Sequence, residues 1–188
     1  QNKTMNTFNQ STDKKKLLIP AIILIGACSR LIPHPMNFTP IAALALFGGS
    51  YIKDKRMAFL IPMAAMLFSD LLLQISNGTG FHDQMIWVYG SMALVTMVGF
   101  WLRERQQGQN IVIASLVGSI LFFALTNFGV WALGYYGYTA SGLAQTYIMA
   151  IPFFKGTFLG DLFYNAIFFG SYAMITRYVP AFATKKAK

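Results

Sequence analysis

The residues of this sequence that could do chemistry are a few polar side chains set within long apolar stretches. They are Arg30, His34, Asn37, Asp70, Gln74, Asn127, Asp161 and Asn165. Ionisable groups inside a membrane are costly, so they commonly pair with one another or mark a functional site. Carboxylates and a histidine could carry acid–base chemistry or hold a metal. Because the sequence has no metal-spacing motif, nucleophile elbow or P-loop, binding is favoured over catalysis.

The composition around these residues is that of a membrane protein. Of 188 residues, 55% are hydrophobic and only 11% are charged, against about 25% charged in soluble domains. Disordered chains, coiled coils and ordinary soluble enzymes are therefore excluded. The net charge of +9 comes from short clusters between apolar runs, so we expect no nucleic-acid partner. The single cysteine, Cys28, excludes a disulfide framework within one chain and leaves its own role open.

Six apolar stretches predict an all-α integral membrane protein with six transmembrane helices. They cover residues 17–32, 40–52, 57–75, 85–102, 111–133 and 157–178. The second stretch is shorter than the roughly 20 residues that cross a bilayer, and with Gly48 and Gly49 it predicts a tilted, close-packed or partly unwound helix. Residues 143–154 are also too few to cross. They predict a short re-entrant or interfacial segment before the last helix.

Clusters of Lys and Arg predict the orientation of these helices. Thirteen of the fifteen basic residues fall on one side of the six-helix topology, and cytoplasmic loops collect such residues. We therefore expect a multi-pass membrane protein with both termini in the cytoplasm. It would have a flexible polar N-terminus (1–13), one membrane domain (14–180) and a basic cytoplasmic tail (181–188). A lipoprotein signal peptide ending at Cys28 is an alternative, but five further apolar stretches follow it.

This topology places polar groups from four helices at one level in the outer half of the membrane. At 1.5 Å per residue, Asp70 lies roughly 20 Å and Asn127 roughly 24 Å from the inner start of its helix. Arg30 is two residues from the outer end of the first helix, and Asp161 is four residues into the last. The convergence predicts a ligand pocket open to the outside. A buried ion pair of Arg30 with Asp70, Asp161 or both, serving only packing, is the alternative.

Loop and helix-end residues add the remaining candidates. His34 lies between Pro33 and Pro35, where a stiff backbone lowers the entropy that the imidazole would lose on binding. Aromatic rings near the outer helix ends could wall a pocket for a flat ligand or belong to an aromatic belt. The predicted ligand-binding set is Arg30, His34, Asn37, Asp70, His82, Trp87, Tyr89, Asn127 and Asp161.

Several motifs, in this order along the chain, carry a resemblance to a known family. They are RLIPHPMNFTPIAALALFGG (30–49), FSDLLL (68–73), WVYG (87–90), TNFGVW (126–131), IPFF (151–154) and GDL (160–162). The pattern resembles a family of small, uncharacterised bacterial inner-membrane proteins. That family is similar to the substrate-binding S components of energy-coupling-factor transporters, in particular the solitary S component for vitamin B12. The resemblance covers residues 30–178.

The resemblance implies a non-enzymatic protein that binds or takes up a vitamin-sized ligand, cobalamin or a related corrinoid, in an outward-facing pocket. Cobalamin would be a bound substrate, since no intrinsic cofactor is implied, and His34 would donate to its cobalt. The partners would be the lipid bilayer and either an energy-coupling module or none. The alternatives are a structural or assembly membrane protein and a membrane enzyme that uses Asp70, Asp161 and His34.

Overall fold

The computed structural model describes residues 17–179, which form a bundle of six helices. The helices are α1 (Leu17–Leu31), α2 (Ile41–Tyr51), α3 (Lys55–Asn77), α4 (Met85–Leu102), α5 (Gly108–Ala132) and α6 (Ala140–Tyr178). The last turn of α1, Ser29–Leu31, is a 3-10 helix. The predicted polar N-terminus and basic tail lie outside the described residues. The all-α class is confirmed.

Four of the helices, α3 to α6, are long and apolar enough to cross a membrane. The predicted six-span topology is not confirmed, because α1 and α2 are shorter. With eleven residues, α2 is about 16 Å long, roughly half the thickness of the hydrocarbon core. A chain with four such helices is nevertheless of the membrane type that its composition predicts.

The short helix α2 is the centre of the bundle. Ten of its eleven residues are buried. It lies against α4 at two glycines, since a Cβ atom on Gly99 would be 2.6 Å from the Leu46 carbonyl oxygen and 2.8 Å from the Gly49 Cα. At the far end of α2, Arg103 donates hydrogen bonds to the carbonyls of Gly49 (2.9 Å) and Ile52 (2.7 Å). These carbonyls are among those that a helix C-terminus leaves without partners.

The end of the loop between α1 and α2 packs against α6. Two glycines of α6 make room for it: a Cβ on Gly156 would lie 2.5 Å from the Met36 carbonyl oxygen, and one on Gly160 would lie 3.0 Å from the Phe38 Cα. Residues 31–37 of this stretch are exposed, whereas Phe38 and Thr39 are half-buried.

The last helix is one element of 39 residues. The predicted separate segment over residues 143–154 is wrong, because these residues are the first turns of α6. The helix begins at an N-cap, where the Thr139 side chain accepts a hydrogen bond from the Gly142 N–H. Pro152 lies inside it and removes one backbone hydrogen bond. The proline within this apolar run suggests a helix end in the sequence, but the helix is continuous there.

Candidate functional site

A polar cluster joins α1, α3 and α4 through Asp70. Arg30 Nη1 lies 2.5 Å from Asp70 Oδ1 and donates a 2.6 Å hydrogen bond to Ser69 Oγ. The Tyr89 hydroxyl donates to the other carboxylate oxygen, Oδ2, at 2.7 Å. The Asp70 residue is only 1% exposed. The predicted ion pair is therefore present with Asp70, and both carboxylate oxygens have partners, as a buried charge requires.

The loop between α3 and α4 folds back over this cluster. A Cβ on Gly80 would overlap the carbonyl oxygen of Asp70, so only glycine allows the approach. The Phe81 N–H donates a 3.0 Å hydrogen bond to Gln74 Oε1. Gly78, with φ of 74°, ends α3 in the left-handed conformation that favours glycine. The fold thus packs this loop against the turn of α3 that carries Asp70.

Asp161 lies apart from Arg30, in a different environment. Its Oδ2 accepts a 2.6 Å hydrogen bond from the Ser119 hydroxyl of α5, and the carboxylate faces the backbone N–H of Ala43 in the first turn of α2. Within residues 17–179, no basic nitrogen lies within 4.0 Å of it. The N-cap of α2 is Pro40, which makes no side-chain cap bond. Asp161 places a side-chain oxygen at the end of this helix where backbone N–H groups lack intrahelical partners.

The prediction that four polar groups share one level is wrong for Asp161. Its partner Ser119 lies eight residues before Asn127 on α5, which is about 12 Å along the helix. The error arises because α6 begins at Ala140 rather than at residue 157. Asp161 consequently lies in the middle of α6 instead of near its end.

A cavity of about 270 Å³ lies between α2, α4, α5 and α6. We call it the Gln84 cavity, and its lining residues are Asn37, Thr39, Ile41, Gln84, Val88, Phe122, Phe123, Thr126, Asn127, Val130, Ala150, Phe153 and Thr157. None of them is charged. Asn37 and Asn127, both predicted as ligand-binding, are brought together here, and Asn127 Nδ2 donates a 2.8 Å bond to the Phe123 carbonyl.

Gln84 is the polar group of this cavity that sequence reasoning missed. Its side-chain nitrogen and oxygen are both buried and have no hydrogen-bond partner among the described residues. It is the N-cap residue of α4, and Gly129 of α5 leaves it space, because a Cβ there would lie 2.7 Å from Gln84 Oε1. A glutamine at the end of a polar loop gave no signal of burial.

Aromatic rings of α5 and α6 pack beside this cavity. The Phe123 ring of α5 contacts both Tyr147 and Phe154 of α6, with ring centroids 5.9 and 5.1 Å away. These two residues are seven positions, or about two helical turns, apart on α6. Ala150 lies in this interval and lines the cavity.

One family matches the sequence over residues 10–182, and its description is a family of unknown function, DUF6580. The chain belongs to the DUF6580 family. Neither curated proteins nor solved structures gave a match. The function of this DUF6580 protein therefore has to be argued from its own side chains and cavities.

The remaining predicted residues of the DUF6580 protein do not meet in the Gln84 cavity. His34 is exposed and lines a separate open groove of about 400 Å³ together with Arg30. His82 is exposed in the loop before α4. The Trp87 ring packs on Phe128, with centroids 5.3 Å apart. Among residues 17–179, no group of three His, Cys, Asp or Glu side chains is placed to hold a metal ion.

Proposed function

We propose that this DUF6580 protein is a membrane binding and uptake protein for a small ligand that occupies the Gln84 cavity. The observation that carries the proposal is the Gln84 amide, which is buried in the wall of a cavity without a partner. Buried polar groups are nearly always hydrogen-bonded, since an unmade bond costs about 1–3 kcal/mol. A ligand that offers an adjacent donor and acceptor would pair with both amide atoms once the side chain turns into the cavity, since both atoms are buried beneath its surface in this structure.

The lining restricts the chemistry of the ligand further. Because no charged side chain lines the cavity, we propose an uncharged ligand. Phe122, Phe123 and Phe153 provide aromatic wall, which suits a flat ring. The volume of about 270 Å³ is just below the roughly 300–1,000 Å³ of drug-sized pockets. We therefore propose a ligand of one or two rings that carries an amide or lactam edge.

The direction of uptake follows from the charges at the helix ends. Basic residues lie in the loops at 53–56 and 103–105 and at Arg177, which we call the basic end of the bundle. Such residues collect on the cytoplasmic side of a membrane. The Gln84 cavity is lined by residues near the other end of α4 and α5. We propose that the basic end faces the cytoplasm of a bacterium and that the cavity takes its ligand from outside.

The Gln84→Leu variant tests the cavity. Leucine has similar bulk but no donor or acceptor, so the variant should bind the ligand at least about tenfold more weakly if one hydrogen bond to a buried amide is lost. Native mass spectrometry and solvent extraction of the purified protein would measure the small molecule that stays bound. Gln109→Leu is the matched control, because Gln109 is exposed at the start of α5.

Undiminished ligand in the Gln84→Leu protein would contradict the Gln84 site, and a wild-type protein that retains no small molecule would contradict the function. The structural or assembly role would then be favoured, and a specific observation supports it. Arg30 and Asp70 satisfy each other within the protein, as do Asp161 and Ser119. Polar groups of this kind serve helix packing in membranes without any ligand.

A corrinoid is the second ligand that we propose, and His34 provides its test. The macrocycle is larger than the Gln84 cavity. His34, which is exposed, lines an open groove together with Arg30. If imidazole binds cobalt there, His34→Ala should change the visible absorption of protein-bound cobalamin and weaken its binding. His82→Ala is the control and should leave both unchanged. Absence of a spectral change on adding cobalamin to the wild-type protein would remove this ligand and leave the Gln84 cavity.

A further inference from the structure

A second cavity, of about 650 Å³, lies between α5 and α6 toward the basic end of the bundle. Its lining includes Tyr51, Gln106, Ser115, Asn165 and Thr176, and we call it the Asn165 cavity. Asn165 is 1% exposed, and its Nδ2 donates a 2.8 Å hydrogen bond to Ser115 Oγ. Its carbonyl oxygen, Oδ1, is buried without a partner among the described residues. Asn165 thus contributes a buried amide to the wall of this cavity, with its nitrogen bonded to α5.

The two cavities lie in line along α6. Thr157 lines the Gln84 cavity and Asn165 lines the second one. Asp161 is four residues from each, and residues spaced by four lie on the same face of a helix. The carboxylate of Asp161 is therefore on the face of α6 that both cavities share, about 6 Å along the axis from each of these lining residues.

The same arrangement holds on α5. Phe123 lines the Gln84 cavity and Ser115 lines the Asn165 cavity. Ser119 is four residues from each, and its hydroxyl donates the 2.6 Å hydrogen bond to Asp161. Ser119 is 0% and Asp161 is 2% exposed. This buried hydrogen bond consequently lies between the two cavities, one helical turn from the lining residues of each.

The helix α2 lies along the same region. Its first turn, at Ala43, faces the Asp161 carboxylate, Ile41 lines the Gln84 cavity, and Tyr51 lines the Asn165 cavity. In many transporters, half-length helices that start inside the bundle point their N-termini at an anionic group of the substrate; here the Asp161 carboxylate lies at the corresponding end of α2.

We infer that the α5–α6 interface is a translocation route and that the Ser119–Asp161 hydrogen bond is its gate. The Gln84 cavity receives the ligand on one side, and the Asn165 cavity releases it on the other. The direction and ligand rest on the proposed function, but the route and gate are tested without any ligand. Breaking the hydrogen bond joins the two cavities, while the variant that retains an acceptor at position 161 keeps them separate.

The experiment uses the full chain with Cys28→Ser, so that one new thiol reports on each cavity. Ala150→Cys reports on the Gln84 cavity, and Gly170→Cys reports on the Asn165 cavity. A Cβ at Gly170 meets no atom within 4 Å, so the thiol fits. A membrane-impermeant quaternary-ammonium methanethiosulfonate is applied to right-side-out and inside-out vesicles. Each thiol should react from one side only, and the two from opposite sides.

Ser119→Ala should then make both thiols react from both sides, with the far-side rate rising about tenfold, the equivalent of one lost hydrogen bond. Ser91→Ala is the matched control, because Ser91 is a buried helical serine whose hydroxyl donates to its own helix at Trp87. Asp161→Asn retains an acceptor for Ser119 and should keep the sidedness.

Three results would overturn the route: unchanged sidedness in Ser119→Ala, reaction of both thiols from the same side, or reaction of neither thiol. The proposed function fails separately. If Ser119→Ala opens the route while Gln84→Leu retains its bound molecule, the gate stands and the Gln84 ligand site is wrong. If Gln84→Leu loses the molecule while Ser119→Ala leaves sidedness unchanged, the ligand site stands and the route is wrong.

Discussion

Asp70→Asn should lower the free energy of unfolding by about 3–5 kcal/mol, because it leaves a buried cation without its counter-ion. The Arg30 side chain is only 10% exposed, and Asp70 Oδ1 lies 2.5 Å from its guanidinium. The substitution also changes the acceptor of the Tyr89 hydroxyl. Unfolding of the protein in mixed micelles of mild detergent and dodecyl sulfate would measure the difference.

Two further variants separate the ion pair from a general effect of the substitution. Arg30→Gln combined with Asp70→Asn should cost less than the sum of the single changes, since neither charge is then left alone. Asp54→Asn is the matched control: Asp54 is exposed and caps α3 by accepting from the Met57 N–H, and asparagine caps as well as aspartate. Additivity of the two single changes within about 0.5 kcal/mol would show that Arg30 and Asp70 do not interact.

The helices could be predicted from the sequence because the length of each apolar run is close to the length of helix that faces lipid or the protein core. Four predicted starts or ends fall within three residues of the helices observed for α3 and α4. The start of α6 was missed by seventeen residues because Pro152 and Gln145 interrupt the apolar run. Hydrophobicity does not show that a membrane helix continues through a proline, since neighbouring elements can satisfy the freed backbone groups.

Residues of the site could be predicted from the sequence only where the residue type itself implies a free-energy cost of burial. A lone charge in an apolar run demands a partner, so Arg30 and Asp70 could be expected to pair. Whether Asp161 lies near Arg30 depends on where α6 begins. The sequence predicts a start at residue 157 instead of Ala140, and this error places Asp161 beside Arg30. Gln84 could not be found, because its burial results from the loop that folds back on α3 and from the space at Gly129. Neither contact has a signature in the local sequence.

Gly99→Ala should destabilise the protein by about 3 kcal/mol or more, the upper range for overpacking a core. The added Cβ would lie 2.6 Å from the Leu46 carbonyl oxygen and 2.8 Å from the Gly49 Cα. Both are backbone atoms, so no side chain can rotate away to relieve the overlap. Relief requires α4 to move away from α2, and ten of the eleven residues of α2 are buried.

Gly90→Ala on the same helix is the matched control, because a Cβ there meets no atom within 4 Å. Alanine is the better helix former by up to about 1 kcal/mol, so this variant should be as stable as the wild type or more stable. Thermal unfolding in detergent would compare the two. Opposite shifts of Tm are expected, and equal Tm values for the two variants would show that α2 and α4 do not approach through Gly49 and Gly99.

Because α2 also carries the Ala43 turn that faces Asp161, Gly99→Ala should disturb the closure between the two cavities, whereas Gly90→Ala should leave the sidedness of thiol labelling unchanged.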